Sequence, residues 1–360
     1  MQHTFAGSPL NSCQNERRDE VFVSTFLEDR RSRILPVLAN GKILVDDQIS
    51  SSSIRPPAQL RWLSLQEFDF QFMKESKSDV ADSPSDGVVF LGVLNEIGHF
   101  AGLVQKDLSA SDLLRFVSLR SLFYRLDSKE LAIAGQASVL IKWREVTRFC
   151  SECGSALISK AGGFRLDCPN VRALESDPKQ QNSSCSKVQV GCGAQNFPRV
   201  DPAVIMLITD GSRCVLASRP RRVGSMYSVL AGFVSPGESI EEAVRRETFE
   251  EIGLRVGEVR YHSSQPWMVG PHFAQLMVGC ICWVLSGEEN RELLVDAKEL
   301  KDARWFSPEE AVIGLDNAKH VPAASDETFR VPPDTAIAHH LIRYFVESIS
   351  KPQLPLRKSC

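Results

Sequence analysis

The sequence predicts a mixed α/β chain. Three observations carry that prediction. From Ala203 onward, short apolar runs (VIMLI, CVLAS, MYSVLAGFV) lead into a capped acidic helix, and further strands and a late helix follow. Half of the ten cysteines fall between residues 150 and 192 in metal-like spacing. Before them, short apolar runs alternate with turns over residues 20–72. A chain of 360 residues also exceeds the usual single-domain size, so two or three units are expected.

In order along the chain, VFVSTFL, ILPVLA and KILVDD predict strands of a modest β-rich region. Lys74–Gly87 is polar, with Ser, Asp and Pro, and predicts an exposed flexible loop. Residues 87–104 predict a strand pair around Asn95-Glu96-Ile97-Gly98. Leu113–Leu126 and Lys129–Trp143 have helical periodicity, the second through Leu131, Ala134, Ala137, Val139 and Leu140. No nucleophile–base constellation occurs in this stretch, so its expected role is structural.

Cys150-x2-Cys153 has the spacing of one knuckle of a tetrahedral zinc site, and a second knuckle must supply two more thiolates. Cys168 is one. The usual tight second pair is opened by the insertion RALESDPKQQNSSCSKVQVG, so the fourth ligand is Cys192 or Cys185, with Cys192 preferred. Four thiolates leave no open position for water, so such a zinc is structural. Cys13, Cys214, Cys280, Cys282 and Cys360 read as ordinary cysteines, with Cys280 and Cys282 in an apolar strand.

Residues 232–254, GFVSPGESIEEAVRRETFEEIGL, carry the chemistry. Ser239 with Glu242 forms a capping box after the Ser235-Pro236-Gly237 turn, and Gly253 is the C-terminal stop. Ile240, Ala243 and Val244 make an apolar stripe, which Glu247, Glu250 and Glu251 continue at i, i+3 and i+4 spacing. Carboxylates on a core-directed face repel one another and suffer desolvation unless a cation sits among them. Oxygen-only ligands suit Mg²⁺ or Mn²⁺. The plain alternative is a solvated acidic helix with Arg246 paired to Glu250. Beyond the helix, Arg255–His262 and Gln275–Val284 predict strands, with Ser263–Trp267 between them as a loop. Arg304–Phe306 precedes a helix from Ser307, residues 315–333 look irregular, and Asp334–Ser348 predicts a final amphipathic helix.

The string resembles the Nudix box, G-x5-E-x7-R-E-U-x-E-E-x-G-U with U aliphatic. Gly232, Glu238, Arg246, Glu247, Glu250, Glu251, Gly253 and Leu254 occupy its positions, with Thr248 at the first U. The resemblance implies an α/β/α sandwich and hydrolysis of a diphosphate linked to another moiety. Ser264-Gln265-Pro266-Trp267 downstream and the thiolates upstream resemble the NADH pyrophosphatase branch, in which a zinc ribbon precedes the Nudix domain. FAGSPLNS and ELAIAGQASVLIKW likewise resemble segments of NADH pyrophosphatases, and the variant segment MVGPHFAQLM together with AIAHHLI is similar to the plant-type branch. The expected division is a pyrophosphatase-like α+β domain over 1–146, a zinc ribbon over 147–199, a Nudix domain over 200–348 and a tail over 349–360. The resemblance implies Mg²⁺ or Mn²⁺ held by Glu247, Glu250, Glu251 and Glu299, Arg246 orienting the carboxylates, and Phe233, Ser264, Gln265, Pro266, Trp267 and Met277 facing substrate. It implies hydrolysis of NADH or NAD⁺ to nicotinamide mononucleotide and AMP. The alternatives are ADP-ribose or the NAD cap of RNA as substrate, or a non-catalytic zinc-ribbon interaction protein. Two departures stand out: Ser235 replaces a common Glu, and MVGPHFAQLM replaces P-F-P-x-S-L-M.

A net charge of −3 gives no electrostatic footprint for duplex nucleic acid or an anionic membrane, and no apolar run is long enough to span a bilayer. The first residues lack the basic and apolar regions of a signal peptide, and the cysteine pattern fits a reducing compartment. An intracellular protein is expected, in cytoplasm or peroxisome, although Lys358-Ser359-Cys360 is a poor match to the S-K-L address. A homodimer is suggested by the resemblance alone.

Overall fold

A computed structural model of the chain describes residues 3–46, 57–73, 87–105, 114–170, 192–220, 225–270, 273–319 and 328–349. Residues 74–86 of the expected loop, the insertion with Cys185, and the tail from 350 lie outside them. The chain forms two compact units. The N-terminal unit comprises Gly7–Arg199 and Met268–Ala274; the C-terminal unit comprises Met1–Ala6, Val200–Trp267 and Gln275–Cys360.

VFVSTFL lies in a helix, α1 (Glu20–Glu28), rather than a strand. The Asp19 side chain caps it by accepting from Val21 N at 2.9 Å. Phe22, Val23, Phe26 and Leu27 pack on the core together, so tertiary burial overrides the β preference of the two valines. Strands β1 (Arg33–Leu38), β2 (Ile43–Asp46) and β3 (Gln59–Leu60), the one-turn α2 (Leu65–Phe68), and the hairpin β4 (Val88–Leu94)–β5 (Ile97–Val104) follow. Asn95 and Glu96 turn that hairpin, both at positive φ. The segment expected to be helical from Leu113 instead forms strand β6 (Leu114–Val117) and a single turn, α3 (Leu119–Leu122). Four residues of β6 find hydrogen-bonding partners along β2, from Ile43↔Val117 to Asp46↔Leu114. The sheet runs β3-β2-β1-β5-β4, with β6 also beside β2 and β1 parallel to β5. Helix α4 (Ser128–Val146) is capped by Asp127 and buries Leu131, Ala134, Ala137, Leu140 and Trp143 among others. A small antiparallel ribbon, β7 (Ile158–Lys160), β8 (Arg165–Asp167) and β9 (Gln195–Asn196), completes the unit.

The C-terminal unit is built on β10 (Val200–Thr209), β11 (Cys214–Ser218), β12 (Leu230–Phe233), α5 (Ile240–Ile252), β13 (Val256–Trp267), β14 (Ala274–Val284), β15 (Asp302–Phe306), α6 (Pro308–Asn317) and α7 (Ile337–Tyr344). Its sheet order is β13-β14-β10-β11-β15, with β12 antiparallel to β10. Strand alternation sorts the core into two layers. Val204, Met206 and Ile208 of β10 face Ala243, Val244 and Ile252 of α5. Ile205 and Leu207 face the other way, toward Ala311 of α6 and Ile337, Leu341 and Ile342 of α7. The result is the α/β/α sandwich the resemblance implied. Ser263–Trp267 is not a loop: it extends β13, with Gln265 opposite Met277 and Trp267 opposite Gln275 on β14.

Candidate functional site

The acidic helix is set by its ends. The capping box is present in both directions, Glu242 N to Ser239 Oγ at 3.2 Å and Ser239 N to Glu242 Oε2 at 2.8 Å. At the other end Gly253 adopts φ 72° and its N–H bonds to Phe249 O at 2.9 Å.

Arg246 organises the carboxylates. Its Nε and Nη2 grip Glu238 at 2.5 and 2.9 Å, as a fork matched to a carboxylate. Nη1 donates to Glu247 at 2.8 Å and to Glu250 at 2.9 Å, and Nη2 donates to the carbonyl of Phe233 at 2.9 Å. One guanidinium thereby holds three acids and the end of β12. The Arg246 fork, with the Ser235 N–H, lowers Glu238 to a pKa of about 2. Glu238 also accepts from Ser235 N at 2.9 Å, so the unusual Ser235 contributes its backbone here.

The three box acids do not share one environment. Glu250 stands outward, its side chain 58% exposed, whereas that of Glu247 is 12% exposed. The Glu247 carboxylate lies against the backbone of Gly232, where a Cβ would collide with its carbon and both oxygens. Glu251 is 1% exposed. Arg219 Nη2 reaches its Oε1 at 3.2 Å and also donates to Ala231 O at 2.6 Å. The second oxygen of Glu251 is buried with no hydrogen-bond partner among the described residues. Burial pushes the Glu251 pKa up to about 7, against the pull of Arg219, and Glu247 and Glu299 add to the rise. An orphaned carboxylate oxygen of this kind is costly unless a proton or a cation meets it, and the oxygen-only donor set fits a hard divalent ion.

Glu299 arrives from far along the chain. Its turn is pinned to the end of α5 through Leu294 N to Ile252 O at 2.9 Å and Asp296 N to Glu251 O at 3.0 Å. That pinning brings its charge to bear on Glu251. Arg219 was absent from the sequence-based site, since Ser218-Arg219-Pro220 after a strand carries no periodic signal of its own.

The downstream residues are placed differently. Phe233 ends β12 with 54% exposure. Ser264 accepts from Tyr261 Oη at 3.3 Å, and Trp267 lies edge-on to Phe5 with centroids 6.4 Å apart. Pro266 is half-buried, and Met277 packs against the layer that contains α7. Gln265 is fully buried, and its amide is spent on backbone. Nε2 donates to Thr335 O at 2.9 Å and Thr4 O at 3.3 Å, and Oε1 accepts from Ile337 N at 2.8 Å. Its place is therefore structural, unlike the substrate-facing role expected from the motif.

In the N-terminal unit the ribbon gathers Cys150, Cys153, Cys168 and Cys192, with all four sulfurs within 4.8 Å of one another. Cys150–Cys192 and Cys153–Cys168 are 3.4 Å apart and Cys168–Cys192 3.2 Å. These are far beyond a disulfide bond of ~2.05 Å. They approach the ~3.8 Å edge of a tetrahedron with Zn–S bonds of ~2.3 Å. Gly154 and Gly193, each directly after a cysteine, take positive φ of 75° and 54°, which turns each knuckle. The cluster is compatible with zinc. Cys214, Cys280 and Cys282 are buried in strands as free thiols.

Comparison with known proteins agrees with this picture. A NUDIX domain model matches residues 199–328, and a model of an NADH pyrophosphatase-like rudimentary NUDIX domain matches 33–143. The chain is 34% identical to Nudix hydrolase 19, chloroplastic, of Arabidopsis thaliana, over 96% of this chain and 86% of that protein. It is 32% identical to the mouse mitochondrial NAD(P)H pyrophosphatase NUDT13, over 72% of this chain and 67% of that protein. It is 38% identical to the human NAD-capped RNA hydrolase NUDT12, over 62% of this chain but only 43% of that longer protein. The chain belongs to the Nudix hydrolase family. Within it, the chain joins a Nudix domain to a rudimentary one of the NADH pyrophosphatase type. Nudix hydrolases generally use divalent metals. Among the described residues no helix is long and apolar enough to cross a membrane.

Proposed function

We propose that this enzyme hydrolyses the pyrophosphate bond of NADH or NAD⁺, yielding nicotinamide mononucleotide (reduced or oxidised) and AMP. The observation that carries the reading is the Arg246 fork, which holds Glu238, Glu247 and Glu250 in one array beside the buried Glu251. Water adds to one phosphorus, the bridging P–O bond breaks, and the water's proton passes to a carboxylate of the helix or to Glu299. Mg²⁺ or Mn²⁺, held by Glu247, Glu250, Glu251 and Glu299, supplies charge neutralisation on the diphosphate and lowers the pKa of the attacking water when bound. Arg246 is a positioning residue: its donors are used on carboxylates and on the Phe233 carbonyl. Phe233 offers an exposed ring for stacking on a base, and Ser264, Pro266, Trp267 and Met277 are the remaining substrate-facing candidates.

Zn²⁺ on Cys150, Cys153, Cys168 and Cys192 completes the proposal as a structural ion closing a ribbon over 147–199, between domains at 1–146 and 200–348. The second reading is the NAD cap of RNA, favoured by the 38% identity to the human NAD-capped RNA hydrolase. Association as a homodimer is tested by light scattering.

The deciding experiment measures kcat/KM for NADH, NAD⁺, ADP-ribose and NAD-capped RNA with Mg²⁺ or Mn²⁺, identifying both products by mass spectrometry. Glu247→Gln should abolish turnover with the fold retained. Turnover of the variant at the wild-type rate overturns the assignment.

A further inference from the structure

Three cationic side chains gather within the N-terminal unit, around the turn before β2. The turn before β2 is fastened to α4: Ser138, 1% exposed, donates its hydroxyl to Gly41 O at 2.8 Å. Gly41 takes φ +81°, and the stem of Lys142 lies directly over it, where any Cβ would collide with Lys142 Cε and with Ser138 Oγ. This close approach fixes the path of the Lys142 side chain, whose ammonium reaches Gly270 O at 3.2 Å. A cavity of about 140 Å³ opens there, between the turn at Asn40–Lys42, the segment Ser118–Arg120 and Met268–Val269. At ~30 Å³ per water it has room for a phosphate group with little besides.

The charge in this cavity is of one sign. Lys42, Arg120 and Lys142 line it, and no acidic residue does. Some cations elsewhere are paired with carboxylates, such as Arg246 with Glu238 and Lys160 with Glu20. Among the described residues none of these three cations is in an ion pair. Lys142 is half-buried, and among the described residues one of its three donors is used, on the Gly270 carbonyl. Burial lowers its pKa, so the charged form is left undercompensated by its surroundings. Like charges gathered in a partly desolvated cavity cost free energy unless an anion joins them.

We propose that Lys42, Arg120 and Lys142 form a phosphate-binding pocket, which takes a backbone phosphate of an RNA chain. The second half of this inference rests on the proposed hydrolysis of NAD-type pyrophosphates. A phosphodiester of RNA and a free phosphate share the chemistry the pocket recognises. A local cationic pocket also reconciles a polyanionic ligand with a chain whose net charge is −3.

The test uses the full chain. Lys42→Ser with Arg120→Ser changes two exposed side chains, and Lys142→Gln is a second variant whose folding is checked by thermal melting. Binding of an uncapped, fluorescently labelled RNA oligonucleotide is followed by anisotropy at ~50 mM salt and above, with inorganic phosphate as competitor. The expected result is RNA affinity weakened about tenfold or more in each variant. The slope of log K against log salt should fall by about 1–2, with loss of competition by phosphate. The kcat/KM for NAD-capped RNA should fall in parallel, while that for NADH stays at the wild-type value. Phosphate competition lost with RNA affinity unchanged makes the pocket a free-phosphate site and overturns its assignment to a nucleotide chain. No change in either measurement overturns the pocket itself. A wild-type protein that hydrolyses neither NADH nor capped RNA defeats the proposed function, and the binding arm still decides the pocket.

Discussion

Gly232→Ala isolates the position of one carboxylate. Gly232 lies in β12 opposite Val204, in extended backbone that alanine also adopts. The three atoms an added methyl would strike first are the carboxyl carbon and both oxygens of Glu247. The strand is held by its ladder to β10, so the side chain must yield. Its departure breaks the 2.8 Å bond from Arg246 Nη1. A displacement of ~1 Å at a group that positions reacting atoms costs on the order of 10²-fold in kcat, or about 2.7 kcal/mol of barrier. Stability should change little, because the entropy that alanine removes from the unfolded chain, about 0.4–1 kcal/mol, opposes the loss of the Arg246–Glu247 hydrogen bond. The assay is initial rates on NADH with saturating Mg²⁺, beside a thermal melt. The signature is activity lost with Tm close to that of the wild type. In a cycle with Glu247→Gln, the double variant should be no slower than Glu247→Gln alone, because both remove the same group. A Gly232→Ala enzyme within twofold of wild type would refute the reasoning, as would a collapse in Tm.

Arg246→Lys replaces a fork with a point charge that can serve one acid at a time. We expect kcat to fall about 10–100-fold with the circular dichroism spectrum unchanged, at ~1.5–3 kcal/mol per lost charged hydrogen bond. His3 is 3% exposed, with both ring nitrogens buried and unpartnered among the described residues, and burial lowers its pKa to about 4, with His340 and His262 adding to the fall. A histidine whose folded pKa is depressed leaves the unfolded chain binding more protons between pH ~6.5 and ~4, so stability is present above that window and is lost as pH falls through it. Chemical denaturation at pH 7 and pH 4.5 should show that loss, and His3→Gln should shrink it; an unchanged pH dependence would count against this origin. Cys153→Ser should reduce zinc, measured by elemental analysis, from about one per chain to near zero and lower Tm. Retention of stoichiometric zinc would remove Cys153 from the ligand set.

The acidic helix was legible because its signals are local. The capping box spans four residues, Gly253 acts on the turn it ends, and the i, i+4 relation of Arg246 and Glu250 follows from the helix repeat alone. The hairpin around Asn95-Glu96 and the alternation of β10 were readable for the same reason. Where packing over long separations decides, the sequence misled or stayed silent. Helix α1 reads as a strand until Phe22, Phe26 and Leu27 meet the core, and β6 reads as helix until β2 lies beside it. The spacing put Glu247, Glu250 and Glu251 on one face, yet only burial against the sheet separates an outward Glu250 from a Glu251 with an orphaned oxygen. Gln265 sits in a motif that pointed to substrate, but its amide is used on Thr4, Thr335 and Ile337, contacts up to 261 residues away. What the sequence by itself determined was the set of chemical groups and the helix that carries most of them, since backbone hydrogen bonds within four residues suffice for that. Only the tertiary structure decided which carboxylate is buried and that Arg219 bears on it. Burial and charge proximity are properties of the packed chain, and no local periodicity encodes them.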